Sequence, residues 1–269
     1  MEIRGSAVVV TGGGSGIGAA LCRRFAAEGA RAVVVADANA RAAEDVAREC
    51  NGLAIGADVS VESDVRRLVG TTRERFGPID LFCGNAGVAL GPGMGGAAGG
   101  PFAPDEAWQR SWDVNLMAHV YATRALLPEM LARGRGWWLF TASAAGLLTD
   151  MGALAYSVTK HAAVAFAEWI AINYGDAGIG VSCLCPQGVR TPMLLGAGES
   201  GVAAHLLPGM IEPEAVADSV IEGLSAERFL ILPHPEVKDY FLRKASDYER
   251  WLRGMRRVRA GLYGASERR

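Results

Sequence analysis

Short hydrophobic runs rich in valine and isoleucine alternate along the chain with longer alanine-rich or amphipathic segments. The first run, residues 6–11, precedes a glycine-rich turn, and residues 19–28 after that turn have the composition of a helix. Uninterrupted apolar runs of this length are typical of strands buried on both faces of a parallel sheet. The alternation of strand and helix therefore predicts an α/β fold with right-handed crossovers.

The same pattern continues through most of the chain. Six further strands are predicted at residues 31–36, 53–57, 79–83, 137–142, 178–184 and 229–232. Helices are predicted at residues 39–50, 61–76, 105–133, 153–174, 213–224 and 236–263. Because neither a repeat nor a linker interrupts the pattern, residues 1–269 are predicted to form a single domain. We expect a lid at about 190–212 and a C-terminal helical extension at about 235–263.

Composition and charge limit the classes of protein that fit this pattern. Of the 269 residues, 50% are hydrophobic and 21% are charged, and the formal net charge is −2. A nearly neutral chain gives no sign of nucleic-acid binding, and no apolar run reaches the ~18 residues of a membrane span. The first strand leaves no room for a signal peptide, and five dispersed cysteines indicate reduced thiols. We therefore expect a cytoplasmic protein with neither a membrane nor a nucleic-acid partner.

No metal site is expected from the cysteines or the histidines. Cys183 and Cys185 lie in a predicted strand without a nearby histidine or a second cysteine pair. The four histidines show no shared spacing, so they are predicted to be surface or packing residues.

The glycine-rich turn after the first strand is a candidate nucleotide site. The glycines of residues 12–18 let a pyrophosphate approach the backbone, and the next helix offers free N–H groups and a positive dipole end. Asp37 follows the second strand, 19 residues after Gly18, where a carboxylate meets the ribose of a dinucleotide. Asp37 is also a candidate N-cap for the next helix, although Asn39 can fill that role and leave Asp37 available.

Tyr156 and Lys160 are the candidate acid–base pair. A spacing of four in a predicted helix puts the phenol and the ammonium on one face, one turn apart. A neighbouring ammonium favours the phenolate, so we expect the Tyr156 pKa to fall from its usual value of about 10. Ser143, after the fifth predicted strand, is a candidate for holding a substrate oxygen. Pairs of this spacing are also common surface neighbours, so the assignment depends on the rest of the chain.

The order and spacing of the motifs resemble those of the short-chain dehydrogenase/reductase family. The matching motifs are TGGGSGIG at 11–18, Asp37, Asp58-Val59, NAG at 85–87, Asn115, Ser143, YSVTK at 156–160 and PQGVRT at 186–191. The resemblance implies a Rossmann fold, with a doubly wound, seven-stranded parallel sheet in the order 3-2-1-4-5-6-7 between two layers of helices.

The resemblance also implies roles for individual residues. Tyr156 would be the catalytic acid and base, Lys160 would lower its pKa and bind the nicotinamide ribose, and Ser143 would hold the substrate oxygen. Asn115 would hold a water in a proton relay from Lys160. The implied cofactor-binding residues are Thr11, Gly12, Ser15, Gly16, Ile17, Gly18, Asp37, Asp58, Val59, Asn85, Ala86, Gly87, Tyr156, Lys160, Pro186, Gly188, Val189 and Thr191.

The expected function is that of an NAD(H)-dependent oxidoreductase that interconverts a secondary alcohol and a ketone. NAD is expected because Asp37 would repel the 2′-phosphate of NADP, and Ser15 and Ala38 supply no cation there. Two alternatives stay open on the same fold: an isomerase, dehydratase or epimerase, and a non-catalytic nucleotide-sensing protein.

Four further features add to these motifs. Residues 193–210 are rich in apolar residues and glycine, with Glu199 and His205 as the only ionisable side chains. This composition predicts a mobile lid over an apolar substrate or, alternatively, a fixed wall.

Apolar residues recur at helical spacing in the arginine-rich tail, and this pattern predicts that the tail docks on the protein rather than on a membrane. The apolar helices at 105–133 and 153–174 predict a homodimer or homotetramer, whereas the glycine-rich loop at 88–101 suggests no chemistry.

Overall fold

One sheet of seven parallel strands organises the computed structural model, which describes residues 1–90, 100–196, 206 and 209–263. Within the described chain the strands are β1 (Ala7–Thr11), β2 (Ala32–Asp37), β3 (Leu53–Gly56), β4 (Leu81–Gly84), β5 (Gly136–Thr141), β6 (Ile179–Leu184) and β7 (Leu230–Ile231). Their order is β3-β2-β1-β4-β5-β6-β7, as the family resemblance implies. Val9 at the centre of β1 pairs with Val34 of β2 on one side and with Phe82 of β4 on the other.

Helices connect the strands and cover both faces of the sheet. They are α1 (Gly16–Ala27), α2 (Ala40–Glu49), α3 (Glu62–Phe76), α4 (Asp105–Trp112), α5 (Ala118–Arg133), α6 (Ala145–Leu148), α7 (Leu154–Tyr174), α8 (Pro192–Leu195), α9 (Pro213–Ser225), α10 (Glu236–Ser246) and α11 (Tyr248–Tyr263). Among the helices that the structure describes, none combines the length and the apolar character of a membrane span. Helices α3, α5 and α7 pack on one face and α1, α2 and α9 on the other, which gives the three layers of a Rossmann fold.

The two adjacent tryptophans of β5 face opposite sides of the sheet, as their positions predict. Trp138 is fully buried beside Phe82 and Phe140 in the core under α3, α5 and α7. Trp137 packs against the other core and donates its indole N–H to Ser182 Oγ at 3.2 Å. Each core thus gains a large aromatic side chain from the same strand.

The prediction of one regular helix over residues 105–133 is wrong at its centre. A π-helical turn, Asp113–Met117, joins α4 to α5 and contains the buried Asn115. The Asn115 amide accepts from Val88 N at 2.8 Å and donates to Val88 O at 2.9 Å and to Thr159 Oγ1 at 3.0 Å. These three bonds satisfy the buried amide and hold it in the irregular turn, a feature that recurs at functional sites.

The prediction of one continuous helix over residues 236–263 is also wrong, because the helix is broken at Asp247. The backbone there is extended (φ −154°, ψ 90°), and Asp247 Oδ1 accepts from Arg250 N at 2.8 Å. A carboxylate that accepts from an N–H in the first turn of the next helix is a favourable N-cap. Asp247 therefore ends α10 and begins α11.

The carboxyl ends of the parallel strands meet at one edge of the sheet, where a cavity of about 1170 Å³ opens. Two predicted segments near this edge fall partly outside the described residues. The glycine-rich loop at 88–101 is described only at 88–90 and 100–101. The lid expected at about 190–212 is described at 190–196, 206 and 209–212, where α8 and Leu206 line the cavity.

Candidate active site

The cavity at the carboxyl ends of the strands brings together most of the residues that the motifs single out. Every predicted site residue lines it except Thr11, Asn115 and Gly188. These three lie directly behind the lining and bond to it or to its supports. The sequence motifs, spread over residues 11–191, therefore converge on one site.

The glycine-rich turn between β1 and α1 has no room for side chains at two of its key positions. A β-carbon on Gly18 would lie 2.0 Å from Gly12 O, and one on Gly12 would lie 2.9 Å from Ala86 Cα. Gly12 and Gly16 also have positive φ angles of 63° and 50°. The Ser15 side chain makes no capping bond to α1, so the first-turn N–H groups face the cavity without a side-chain cap. This arrangement suits a phosphate group at the helix N-terminus.

Asp37 at the end of β2 is fixed by two backbone amides. Its Oδ2 accepts from Gly14 N at 3.0 Å, and its Oδ1 accepts from Asn39 N at 2.9 Å. Asn39 caps α2 by accepting from Ala42 N at 3.1 Å, as predicted. Asp37 is therefore released from capping and presents a positioned carboxylate to the cavity.

Asp58 belongs to a small polar cluster that the motifs indicate only in part. Desolvation raises the pKa of this carboxyl, but hydrogen bonds from Ser60 and Arg110 outweigh it and bring the pKa below its ordinary value. Arg110 donates to Asp58 Oδ2 at 3.2 Å and to Ser60 Oγ at 2.6 Å. Arg110 on α4 lines the cavity, and it could not be predicted as a site residue because no spacing in the sequence relates it to Asp58.

Thr11 and Asn85 brace the strand ends beneath the cavity. Thr11 Oγ1 donates to Cys83 O at 3.2 Å and accepts from Asn85 N at 3.0 Å. The Asn85 amide donates to Thr11 O at 3.0 Å and accepts from Thr141 Oγ1 at 3.3 Å. This network ties β1, β4 and β5 together and holds the turn that starts at Gly12.

Tyr156, Ser143 and Lys160 meet at the end of β5. Tyr156 and Ser143 interact through their hydroxyl groups, and both line the cavity. The Ser143 hydroxyl donates to Pro186 O at 3.4 Å and accepts from Ala145 N at 3.1 Å. Lys160 is buried, donates from Nζ to Thr141 O at 2.9 Å and lies 5.6 Å from the centre of the Tyr156 ring.

The expected fall of the Tyr156 pKa is wrong for the protein alone. Burial raises the pKa of Tyr156 to about 12, with a smaller contribution from the nearby Asp150 carboxylate, while the Ser143 hydroxyl acts in the opposite direction. Burial lowers the pKa of the Lys160 ammonium to about 8. The helical spacing does bring the two groups together, but desolvation is the largest cause of the pKa shift of each.

Asn115 and Lys160 converge behind the cavity on Gly87. A β-carbon on Gly87 would lie 3.3 Å from both Asn115 Oδ1 and Lys160 Nζ. The missing side chain of Gly87 thus lets the two polar groups approach its backbone closely.

The segment after β6 forms the opposite rim. Thr191 caps α8 by accepting from Leu194 N at 3.4 Å, and a β-carbon on Gly16 would lie 3.0 Å from its Cγ2. Gly188 O accepts from Ile211 N at 3.1 Å, and His234 Nε2 lies 3.0 Å from the same oxygen. These contacts place Thr191 against the glycine-rich turn and Val189 in the cavity wall.

Two further sets of lining residues have no counterpart in the motifs. The first set is Leu148, Thr149, Asp150 and Met151, between α6 and α7. The second set is Tyr240, Arg243, Ser246, Asp247, Arg250, Trp251, Gly254, Met255, Arg257 and Val258, on the C-terminal helices. An amphipathic pattern signals that the tail docks, but it carries no information on where the tail docks.

The cavity can therefore bind an extended nucleotide-like ligand along the glycine-rich turn and Asp37. At the other end, a phenol and a hydroxyl stand ready to bond an oxygen and to exchange a proton with it.

Sequence comparisons agree with this chemistry. A family model described as short chain dehydrogenase matches residues 6–200. The 1-deoxy-11-beta-hydroxypentalenate dehydrogenase of Streptomyces exfoliatus is 38% identical over 253 residues, which cover 88% of this chain and 86% of that protein. The 2-(R)-hydroxypropyl-CoM dehydrogenase of Xanthobacter autotrophicus is 34% identical over 193 residues, with coverages of 69% and 75%.

Solved structures show the same architecture. A short chain dehydrogenase/reductase from Burkholderia phymatum in complex with NAD matches with a TM-score of 0.80 and 27% identity, over 93% of this chain and 96% of that chain. The 3-ketoacyl-(acyl-carrier-protein) reductase from Brucella melitensis complexed with NADH matches with a TM-score of 0.76 and 29% identity, over 86% and 96%.

Proposed function

The chain belongs to the short-chain dehydrogenase/reductase family, oxidoreductases that act on CH–OH groups, and from this premise we propose that it is an NAD-dependent enzyme that interconverts a secondary alcohol and its ketone. The observation that carries the proposal is the meeting of Tyr156, Ser143 and Lys160 in one cavity with the glycine-rich turn. A proton-exchanging group and a nucleotide site are what hydride transfer to or from a carbonyl carbon requires.

The residues at the nucleotide end fit NAD. Side chains are absent where Gly12 and Gly18 approach neighbouring backbone, and the N-terminus of α1 suits the pyrophosphate. Asp37 presents a carboxylate where the adenosine ribose hydroxyls would lie, and such a group disfavours the 2′-phosphate of NADP. The structures of relatives with NAD and NADH support the same choice. When bound, NAD supplies the hydride acceptor and its reduced form the hydride donor.

The residues at the other end provide the proton chemistry. With a pKa of about 12, the Tyr156 phenol is protonated at neutral pH, the form that donates a proton to a ketone oxygen. In the reverse direction Tyr156 accepts the hydroxyl proton, and a cationic Lys160 nearby stabilises the resulting phenolate. Ser143 donates a hydrogen bond to the reacting oxygen and so polarises the carbonyl. Asn115 Oδ1, which lies close to the same glycine as Lys160 Nζ, would hold a water that links Lys160 to solvent.

The substrate is proposed to have a substantially apolar body. Leu148, Met151, Met193, Leu194 and Leu206 line the cavity, and all five side chains are apolar. Two relatives are named as dehydrogenases of hydroxy compounds, and a hydroxyl is the functional group that this site would oxidise.

Purified protein with NAD and a panel of apolar secondary alcohols tests the proposal. NADH absorbance should rise with at least one alcohol, and the matching ketone should consume NADH. An isomerase or a nucleotide sensor on this fold would bind NAD and leave its redox state unchanged, and that result would refute the proposal.

A further inference from the structure

The C-terminal helices bring three arginines into the wall of the cavity: Arg243 on α10, and Arg250 and Arg257 on α11. Seven residues, about two helical turns, separate Arg250 from Arg257, so both lie on one face of α11. Within the part of the chain that the structure describes, none of the three forms an ion pair with a carboxylate. The Arg243 guanidinium lies 5.8 Å from the centre of the Tyr240 ring, a contact that uses its face and leaves its N–H groups to a ligand. Arg250 and Arg257 are exposed, so their guanidinium groups are accessible as well.

Contacts at the start of the tail place this wall beside the reacting end of the cavity. Lys244 is buried and donates from Nζ to Leu147 O at 2.6 Å, which ties α10 to α6. Helix α6 begins two residues after Ser143. His234 accepts from Gln187 N at 3.1 Å and fixes the chain just before α10. Arg243 thus lies on a helix tied to the end of the cavity that holds Ser143, and α11 with Arg250 and Arg257 follows that helix directly along the same cavity.

Two carboxylates share this end of the cavity with the arginines. Asp247 Oδ1 accepts from Arg250 N, and Asp150 Oδ1 accepts from Gly152 N at 2.6 Å. Both carboxylates already accept hydrogen bonds from backbone amides. The three positive guanidinium groups also exceed the two negative carboxylates in number. The local charge is positive, in contrast to the net charge of −2 for the whole chain.

The same wall is also apolar. Trp251, Met255 and Val258 lie on α11 and line the cavity beside Arg250 and Arg257. An apolar body can pack on these three side chains while an anionic group on that body reaches the arginines. A guanidinium group binds a carboxylate with two parallel hydrogen bonds, which makes a carboxylate the best match.

We propose that the substrate is a hydroxy acid or keto acid whose apolar skeleton separates the reacting oxygen from a carboxylate held by Arg243, Arg250 and Arg257. This inference rests on the proposed function and adds an anionic group to the apolar substrate expected from the lid.

Binding to the NAD-loaded protein tests the inference without depending on turnover. Decanoate and decanol share one apolar chain and differ in the anionic group, so isothermal titration calorimetry with both probes isolates the carboxylate. We expect decanoate to bind about tenfold more tightly than decanol, and the difference to shrink as salt is raised. Equal affinities, or no measurable binding of either probe, would overturn the inference.

Two double variants with the same net charge locate the effect. Arg250→Gln with Arg257→Gln removes two cavity arginines, whereas Arg253→Gln with Arg256→Gln removes two arginines of α11 that do not line the cavity. Only the first pair should weaken decanoate binding, by about tenfold, with decanol and NAD binding unchanged. Equal losses in both double variants, or a parallel loss of NAD affinity, would contradict the assignment.

Turnover of 9-hydroxydecanoate and 2-decanol then separates this inference from the proposed function. Higher kcat/KM for the hydroxy acid supports both. Turnover of both alcohols with equal kcat/KM keeps the proposed function and refutes the carboxylate site. Tighter decanoate binding without NADH formation from either alcohol keeps the anion site and counts against the proposed function.

Discussion

In the proposed function, Asp37 is the residue that would set the choice between NAD and NADP. Its carboxylate is held by Gly14 N and Asn39 N, so it cannot turn away from a 2′-phosphate without losing those bonds. Repulsion and a lost ribose hydrogen bond disfavour NADP by about 2–4 kcal/mol, roughly 30- to 1,000-fold in kcat/KM.

Replacing Asp37 should relax this preference. Asp37→Asn removes the charge but keeps an acceptor for Gly14 N, so the ratio of kcat/KM for NAD over NADP should fall at least tenfold. Asp45→Asn changes the net charge equally on the exposed side of α2 and should leave the ratio unchanged. Comparable wild-type efficiency with both cofactors would contradict this account.

In the proposed function, Tyr156 would give the enzyme different pH dependences in the two directions. Burial raises its pKa to about 12, so the base form that accepts a proton from the alcohol is scarce at neutral pH and increases as pH rises. Alcohol oxidation should therefore accelerate from pH 6 to pH 8, the range in which Lys160, with a pKa of about 8, keeps much of its charge, whereas ketone reduction uses the protonated phenol and should not accelerate. The pH profiles of kcat/KM in both directions provide the test, and oxidation that slows over this range in folded enzyme would count against the assignment.

At the scale of secondary structure, the glycine-rich turn between β1 and α1 depends on contacts that a single β-carbon would break. Gly18→Ala would put a methyl group 2.0 Å from Gly12 O, a backbone atom with no freedom to move aside. Gly70 in α3 has open space around its missing β-carbon. The two positions therefore form a matched pair.

Gly18→Ala should lower the free energy of unfolding by about 1–3 kcal/mol and weaken NAD binding. Gly70→Ala should raise it by about 0.5–1 kcal/mol, because alanine loses less conformational entropy in a helix. Urea denaturation of both variants measures the shifts. If Gly18→Ala leaves both the free energy of unfolding and the NAD affinity unchanged, the turn is not packed as closely as described.

The strands and most helices could be predicted from the sequence because their signals are local. The valine-rich run of β1 and the glycine after it specify a buried strand and its turn without long-range information. The π-helical turn at Asn115 could not be predicted, since it depends on bonds to Val88 and Thr159, which lie far away in the chain. The break at Asp247 did carry a local signal, a capping aspartate, which the helical pattern on either side obscured.

The candidate site was predictable only where family motifs cover it. Glycines and Asp37 occur at spacings set by the cofactor, so they are visible in the sequence. Arg110 and the C-terminal helices reach the cavity through tertiary packing, such as the bond from Lys244 to Leu147 O. The Tyr156 pKa was predicted in the wrong direction because its value depends on burial, which the sequence does not specify.

At the scale of the whole molecule, α7 presents an apolar stripe to solvent. Val158, Ala162, Ala165, Trp169 and Ile172 recur at three- and four-residue steps on one face of the helix. Val158 is 40% exposed, Trp169 53% and Ile172 81%. Such a stripe favours contact with a second copy of the chain, as the sequence analysis expects.

The protein should therefore sediment as a homodimer or homotetramer at micromolar concentration. Ile172→Glu places a charge in the stripe and should shift the protein toward monomer, because burying an unpaired carboxylate is costly. Leu242→Glu, at an exposed position on α10, is the control and should leave the assembly intact. If the wild-type protein sediments as a monomer, the stripe is not an interface between two copies of the chain.

The central claim is that Tyr156 exchanges the proton in an NAD-dependent reaction at this cavity, and Tyr156→Phe tests it most directly. The variant keeps the ring and removes only the hydroxyl, so calorimetry should give an NAD affinity within about twofold of wild type. With the best alcohol found for the wild type, single-turnover NADH formation should fall by about 100-fold or more. Most of the wild-type rate surviving in a variant that binds NAD normally would contradict the account.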